Sequence, residues 1–199
     1  MPELADAVIE EAAERGQRLL VDEFVALVER HHEPDGAGVP RELVEAYFAA
    51  LEDERAVDVE VLRGAFEDEL TDADAYDGRN AVYEVGDGRV STYPAEWHDR
   101  LGADASLAAF VGVMTESMGD PPRSGASPGV AEDDLLDAAV TLGGRSRRAA
   151  REELEELRAD GVLVEDADQH PRAGVALAAD VDFEEGGLGK PDRGDAPGG

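Results

Sequence analysis

The sequence predicts an α+β fold that is mainly α-helical, and this prediction rests on the spacing of its apolar residues and on its turns. Apolar residues recur at helical intervals through much of the chain. Two β-rich runs flank Asp87-Gly88, a pair typical of a hairpin turn. A second succession of helices and strands follows from about residue 105. We therefore expect a helical domain over 1–102, another small domain over 103–181, and a disordered acidic and glycine-rich tail over 182–199.

Helices account for most of the predicted amino-terminal domain, and they end in a hairpin near 82–93. The predicted helices are residues 3–15, residues 18–31, a helix that begins after Pro40, and residues 58–70 with Asp58 as the cap. The segment "AEWHDRL" is expected to pack as a short helix behind the hairpin, with Trp97 and Leu101 facing inward. Helices followed by a hairpin make this an α+β domain.

The carboxy-terminal domain is predicted to contain three helices and then a hairpin. "ASLAAFVGVMTES" and "AEDDLLDAAVTLGG" are the first two helices, and paired glycines end the second. "GGRSRRAAREELEELRADG" at 143–161 supplies the third, and "VLVED" and "GVALAAD" are strands around the turn "ADQHPRA". This order of elements is that of a winged helix.

Residues 129–178 carry a resemblance to a known family. The stretches "GVAEDDLLDAA" and "AAREELEELRADGVLVED" resemble the winged-helix, or helix-turn-helix, modules of archaeal transcription and replication proteins. The whole chain resembles conserved proteins of haloarchaea. The winged-helix resemblance implies a third helix that enters the DNA major groove, with a wing beside it.

The chain is strongly acidic, with 48 Asp and Glu against 18 Lys and Arg and a formal charge of −30. Only Lys190 is a lysine, and aromatic residues are 5% of the chain. This composition resembles that of proteins from extremely halophilic archaea. At about 1 M salt the Debye length is roughly 3 Å, so the net charge does not exclude DNA as a partner.

The scarce positive charge is concentrated at the start of the third helix of the carboxy-terminal domain. The residues predicted to bind nucleic acid are Arg145, Arg147, Arg148 and Arg151, together with Arg172 in the turn of the wing. Cations are unfavourable at a helix amino terminus, and a phosphate would relieve that cost. The competing interpretation pairs Arg148 with Glu152 and Arg151 with Glu155 on a solvated face. The sequence is compatible with both interpretations.

No motif of catalysis or metal binding is recognised. The chain has no cysteine, its histidines lack zinc spacing, and "DADAYDG" departs from a calcium loop at its ligand positions. No glycine-rich phosphate loop follows a strand, so no cofactor is expected. No run of residues is apolar enough for a membrane span, and we expect a soluble cytoplasmic protein.

The sequence therefore supports two functions. The first is a non-enzymatic regulatory or adaptor protein of a halophilic archaeon, whose winged helix contacts nucleic acid, for example duplex DNA, through the arginines of its third helix. The alternative is a scaffold for protein–protein interaction or homodimerisation that binds no nucleic acid. The exposure of the arginines distinguishes the two.

Overall fold

The structure of the protein is a computed structural model, which describes residues 2–32, 36–52, 54–76, 80–118, 129–165 and 174–179. The helices are α1 (Asp6–Arg15), α2 (Val21–His31), α3 (Arg41–Leu51), α4 (Val59–Asp68), α5 (Ala95–Arg100), α6 (Leu107–Met118), α7 (Glu132–Thr141) and α8 (Arg147–Ala159). The strands are β1 (Val39–Pro40), β2 (Leu70–Thr71), β3 (Val82–Glu84), β4 (Arg89–Ser91), β5 (Val130–Ala131), β6 (Leu163–Glu165) and β7 (Gly174–Leu177). The mixed α+β class, mainly helical, is confirmed.

The predicted hairpin of the amino-terminal part is present. Strands β3 and β4 pair antiparallel, and Asp87 and Gly88 at the turn both have positive φ, at 50° and 69°. Glycine adopts this region without steric cost, and aspartate tolerates it better than most residues. The sheet has the order β1-β4-β3-β2, in which β1 is antiparallel to β4 and β2 is parallel to β3.

The carboxy-terminal part contains a sheet of three strands beside α6, α7 and α8. Its order is β5-β7-β6, and both neighbouring pairs are antiparallel. The predicted tail over 182–199 and the turn that holds Arg172 lie outside the described residues. Within the described residues, every helix falls short of the length and apolar character that a membrane span requires.

One order of elements occurs twice along the described chain: helix, short strand, helix, helix, strand, strand. The first unit, residues 21–91, runs α2, β1, α3, α4, β3, β4, with β2 inserted between α4 and β3. The second unit, residues 107–177, runs α6, β5, α7, α8, β6, β7. In both units the short strand pairs with the last strand of the unit, as β1 with β4 and β5 with β7. The sequence predicted three helices and a hairpin for the carboxy-terminal part and helices followed by a hairpin for the amino-terminal part, in both cases without the short strand.

A glycine before the short strand occupies the same place in each unit. A Cβ atom on Gly38 would overlap the carbonyl oxygen of Val90, which lies on β4. A Cβ atom on Gly129 would lie 2.7 Å from the carbonyl carbon of Gly174, at the start of β7. Both positions therefore need a residue without a side chain, because the backbone of the last strand passes so close.

Each unit has its own hydrophobic core. The first core gathers side chains from Val8 to Val90, and the second from Trp97 to Val175. Helix α5 belongs to the second core, although the sequence analysis grouped it with the amino-terminal domain. The Trp97 indole stacks on Tyr76 and Tyr93 at centroid distances of 4.8 and 5.4 Å, and both tyrosines pack against the second core although they also lie within 1–102. The indole Nε1 also donates a hydrogen bond of 2.9 Å to Ser117 on α6.

Candidate functional site

The side chain of Ser146 caps the amino terminus of helix α8. Because the helix begins at Arg147, the side chains of Arg147, Arg148 and Arg151 lie on its first two turns. Ser146 Oγ accepts a hydrogen bond from the backbone N–H of Ala149 at 3.2 Å. Ala150 and Leu154 are fully buried and form the apolar side of the helix. The remaining sides of α8 therefore hold the charged residues, as the helical spacing predicted.

The Arg145 side chain forms an ion pair and hydrogen bonds within the carboxy-terminal part of the chain. Its Nη1 lies 2.6 Å from Glu153 Oε2, and its Nη2 donates hydrogen bonds to the carbonyl oxygens of Ala103 and Ala105. Glu153 in turn accepts from the backbone N–H of Leu107, the first residue of α6. Only 14% of the Arg145 side chain is exposed. This guanidinium joins α8 to the start of α6 and has little surface left for a ligand.

Arg147 is bound to carboxylates of the neighbouring helix. Its Nη2 lies 2.6 Å from Asp133 Oδ1, and its Nη1 donates to Asp137 Oδ1. Asp133 and Asp137 are one turn apart on α7, so a single guanidinium spans both. Two carboxylates of the same chain, Asp133 and Asp137, therefore pair with the guanidinium that was predicted to bind phosphate.

Arg148 and Arg151 face solvent. The Arg148 side chain is 86% exposed, and its Nε is 3.5 Å from Glu152 Oε1, as the local pairing predicted. Arg151 is exposed, and the predicted pair with Glu155 is not observed. Glu155 Oε1 instead accepts from Arg158 at 2.8 Å. Among the predicted site residues of the described chain, these two lack an ion pair to another element, whereas the Arg147 side chain is 40% exposed but paired with Asp133 and Asp137.

Arg158 is a residue whose role the sequence analysis did not assign. It lies on the same side of α8 as Arg147, and 19% of its side chain is exposed. Its guanidinium contacts Glu132 at 2.9 Å, Glu155 at 2.8 Å and Glu165 at 2.7 Å. This guanidinium therefore joins α8 to the acidic start of α7 and to strand β6. Only the tertiary structure shows these contacts, because Glu132 lies 26 residues before Arg158 in the sequence.

The exposed side of α8 carries more negative than positive charge. Its exposed charged residues are Arg148, Arg151, Glu152, Glu155, Glu156 and the C-cap Asp160. The carboxylates on this surface outnumber the arginines. A phosphate backbone that approaches this side meets repulsion as well as attraction.

Helix α4, which takes the place of α8 in the first unit, shows an acidic and partly apolar exposed side. Glu60, Glu67 and Asp68 are exposed, and Val61 is 67% exposed. Arg63, the arginine of this helix, is bound to carboxylates of the first unit, with Nη1 2.8 Å from Glu45 Oε2. The exposed side of α4 thus offers carboxylates and an apolar side chain.

A polar network lies at the junction between the two cores. Glu29 on α2 accepts hydrogen bonds from Thr92 N at 3.2 Å and Thr92 Oγ1 at 2.9 Å, and also from Ser91. His98 Nε2 is 2.9 Å from Ser91 Oγ. Desolvation raises the pKa of Glu29 to about 7 and lowers the pKa of His98 to about 4. Ser91 is fully buried, so its hydroxyl is not accessible to a substrate.

Two predictions remain, one on a site residue in the wing and one on metal binding. Arg172 lies outside the described residues. Among the described residues, no group of three or more His, Asp or Glu side chains is arranged to hold a metal ion. Comparison with known proteins gives no match: no protein-family model, curated protein or solved structure matches this chain.

Proposed function

We propose that this chain is a non-enzymatic adaptor of a halophilic archaeon, built from two winged-helix units, and that it binds other proteins rather than nucleic acid. The winged-helix assignment is supported by the order of elements in each unit. It is also supported by the strand orders β1-β4-β3 and β5-β7-β6, in which the short strand pairs with the last one. In this assignment α4 and α8 are the third helices of the two units.

The negative charge on the exposed sides of α4 and α8 is the observation that favours a protein partner over nucleic acid. A DNA duplex presents about one negative charge per 1.7 Å of its axis, and proteins bind it by neutralising phosphates with arginine and lysine. In this chain Arg145, Arg147 and Arg158 pair with internal carboxylates. Carboxylates also predominate on the exposed sides of α4 and α8. Salt screens the repulsion between these carboxylates and phosphates, but it also weakens contacts between arginine and phosphate. Neither helix therefore offers a net attraction for a nucleic acid.

Affinity capture tests this function. The tagged chain is incubated with a lysate of its source cells in molar KCl, with and without nuclease, and bound proteins are quantified by mass spectrometry. We expect a defined set of proteins that survives nuclease treatment and is unchanged for the variant Arg148→Ala plus Arg151→Ala. Loss of every captured protein on nuclease treatment would show that nucleic acid connects them and would contradict the proposal.

Nucleic-acid binding is the second candidate, and the exposure of Arg148 and Arg151 favours it. Both side chains lie near the amino terminus of α8, the end that a winged helix directs toward base edges. If they contact phosphates, Arg148→Ala plus Arg151→Ala reduces the salt slope of duplex binding by about two ionic contacts. The fold is retained in this variant, since neither residue belongs to the apolar side of the helix.

A further inference from the structure

The first unit has an apolar groove beside its third helix. Three large apolar side chains are strongly exposed among the described residues: Leu20 at 50%, Val61 at 67% and Val162 at 41%. Leu20 and Val61 both line this one groove, between the turn after α1 and helix α4. Two of these side chains beside one concave surface mark a place where a partner could bury them.

The floor and the size of the groove limit what it can hold. Buried apolar side chains form the floor, namely Leu19, Val57 and Leu62. Its volume is about 260 Å³. This is smaller than the cavities that enclose drug-sized ligands, which span roughly 300–1,000 Å³. The groove therefore suits one or two apolar side chains presented by a larger molecule.

The charge around the groove selects the kind of partner. Asp58 and Glu69 are the charged residues that line it, and Glu60 is exposed next to Val61 on α4. Asp58 also caps α4, and its Oδ1 accepts from the N–H of Val61 at 3.2 Å. An apolar segment flanked by lysine or arginine complements this rim. A second copy of this chain offers few such segments, because it has 18 basic residues against 48 acidic ones.

From these observations we infer that the groove binds an amphipathic segment of another protein. A large apolar side chain of that segment packs between Leu20 and Val61, and flanking basic residues pair with Asp58 and Glu69. This inference rests on the proposed function as a protein-binding adaptor and specifies where one partner binds. Burial of both exposed side chains supplies the affinity, and the basic flanks supply orientation.

Peptide display on the full-length chain tests the groove. A random peptide library is selected against the wild type in molar KCl, and the enriched peptides are measured against purified variants by fluorescence anisotropy. We expect enriched peptides to combine a large apolar residue with neighbouring arginine or lysine. Leu20→Ser plus Val61→Ser should weaken their binding by at least about tenfold, as loss of a central apolar contact does. Glu69→Gln should weaken it less.

Val162→Ser is the matched control, because it removes an exposed apolar side chain of the second unit, and it should leave peptide binding unchanged. Circular dichroism verifies that each variant is folded. Equal binding of the peptides to the wild type and to Leu20→Ser plus Val61→Ser would contradict the groove as the binding site but would leave the proposed adaptor function standing. No enriched peptide, together with no nuclease-resistant protein in the capture experiment, would overturn both. A homodimer that these two substitutions dissociate would identify a self-interface and overturn the inferred partner.

Discussion

Arg147 Nη2 lies 2.6 Å from Asp133 Oδ1, and this ion pair joins the third helix of the second unit to the helix before it. Internal pairing explains two of the four arginines that this chain of net charge −30 concentrates at 145–151, namely Arg145 and Arg147, whereas Arg148 and Arg151 face solvent. Helix α7 begins with Glu132, Asp133 and Asp134, and Arg147 and Arg158 each reach a carboxylate of this acidic turn. The arginines on this side of α8 are therefore paired with the acidic first turn of α7.

Arg145 should contribute to stability far more than Arg148. Arg145→Met keeps an apolar stem but removes the bonds to Glu153 and to two carbonyl oxygens, and we expect a loss of about 2 kcal/mol in the free energy of unfolding. Arg148→Met, at an 86% exposed side chain, should change it by less than about 0.5 kcal/mol. Urea titrations in molar KCl measure both variants. Equal losses would contradict the internal role of Arg145.

Gly38 should tolerate no side chain, because its Cβ would overlap the backbone of β4. Gly144 is the matched control: both residues have φ of +59°, but a Cβ on Gly144 meets nothing within 4 Å. We expect Gly144→Ala to cost about 1 kcal/mol from backbone strain alone. Gly38→Ala should cost a further 1–3 kcal/mol or so from overpacking. Thermal melts of the two variants compare these costs, and similar melting temperatures would count against the close approach of β1 and β4.

Glu29 should make the protein less stable as the pH rises. Desolvation raises its pKa from 4.5 to about 7 in the folded chain, so the folded state binds more protons than the unfolded state between these values. The free energy of unfolding therefore falls as pH rises through this window. Glu29→Gln keeps an acceptor for Thr92 and removes the ionisation.

The variant should gain stability over the wild type between about pH 4.5 and pH 7, by up to about 3 kcal/mol, since one pKa unit corresponds to about 1.4 kcal/mol. Above this window the difference should stay constant. The opposite contribution of His98, whose pKa is lowered, is present in both proteins and cancels in the comparison. Urea titrations across this range measure the difference in the free energy of unfolding between the two proteins. A difference that does not depend on pH would contradict the raised pKa of Glu29.

Salt should be required for folding. Carboxylates crowd the surface of a chain with 48 acidic residues, and their mutual repulsion is unscreened in dilute buffer. We expect cooperative thermal unfolding in molar KCl and loss of that transition at low salt, followed by circular dichroism. A melting curve unaffected by salt would argue against the halophilic origin.

Local signals predicted much of the fold. The cap Asp58 accepts from Val61 N, α3 begins after Pro40, and Asp87-Gly88 forms the hairpin turn. Strands β1 and β5 were not predicted, because a strand of two residues shows no periodicity and its identity depends on the partner strand. The repeated order of elements depends on these strands and was missed with them.

The candidate site was predicted less completely than the fold. The sequence showed where the arginines are concentrated, but carboxylates from α7 and β6 pair with Arg147 and Arg158 and leave Arg148 and Arg151 accessible. Asp137, for example, lies ten residues before Arg147 in the sequence and contacts it only through the packing of α7 on α8. The groove at Leu20 and Val61 likewise forms between segments distant in the chain.

Fluorescence anisotropy of a labelled DNA duplex, titrated with the wild-type chain at the lowest KCl concentration that keeps it folded, tests the central claim most directly. Low salt favours phosphate contacts most, so binding that exists should be visible there. With Arg145 and Arg147 engaged by carboxylates, we expect no saturable change in anisotropy. Saturable binding that Arg148→Ala plus Arg151→Ala weakens would contradict the account and make α8 a nucleic-acid-binding helix.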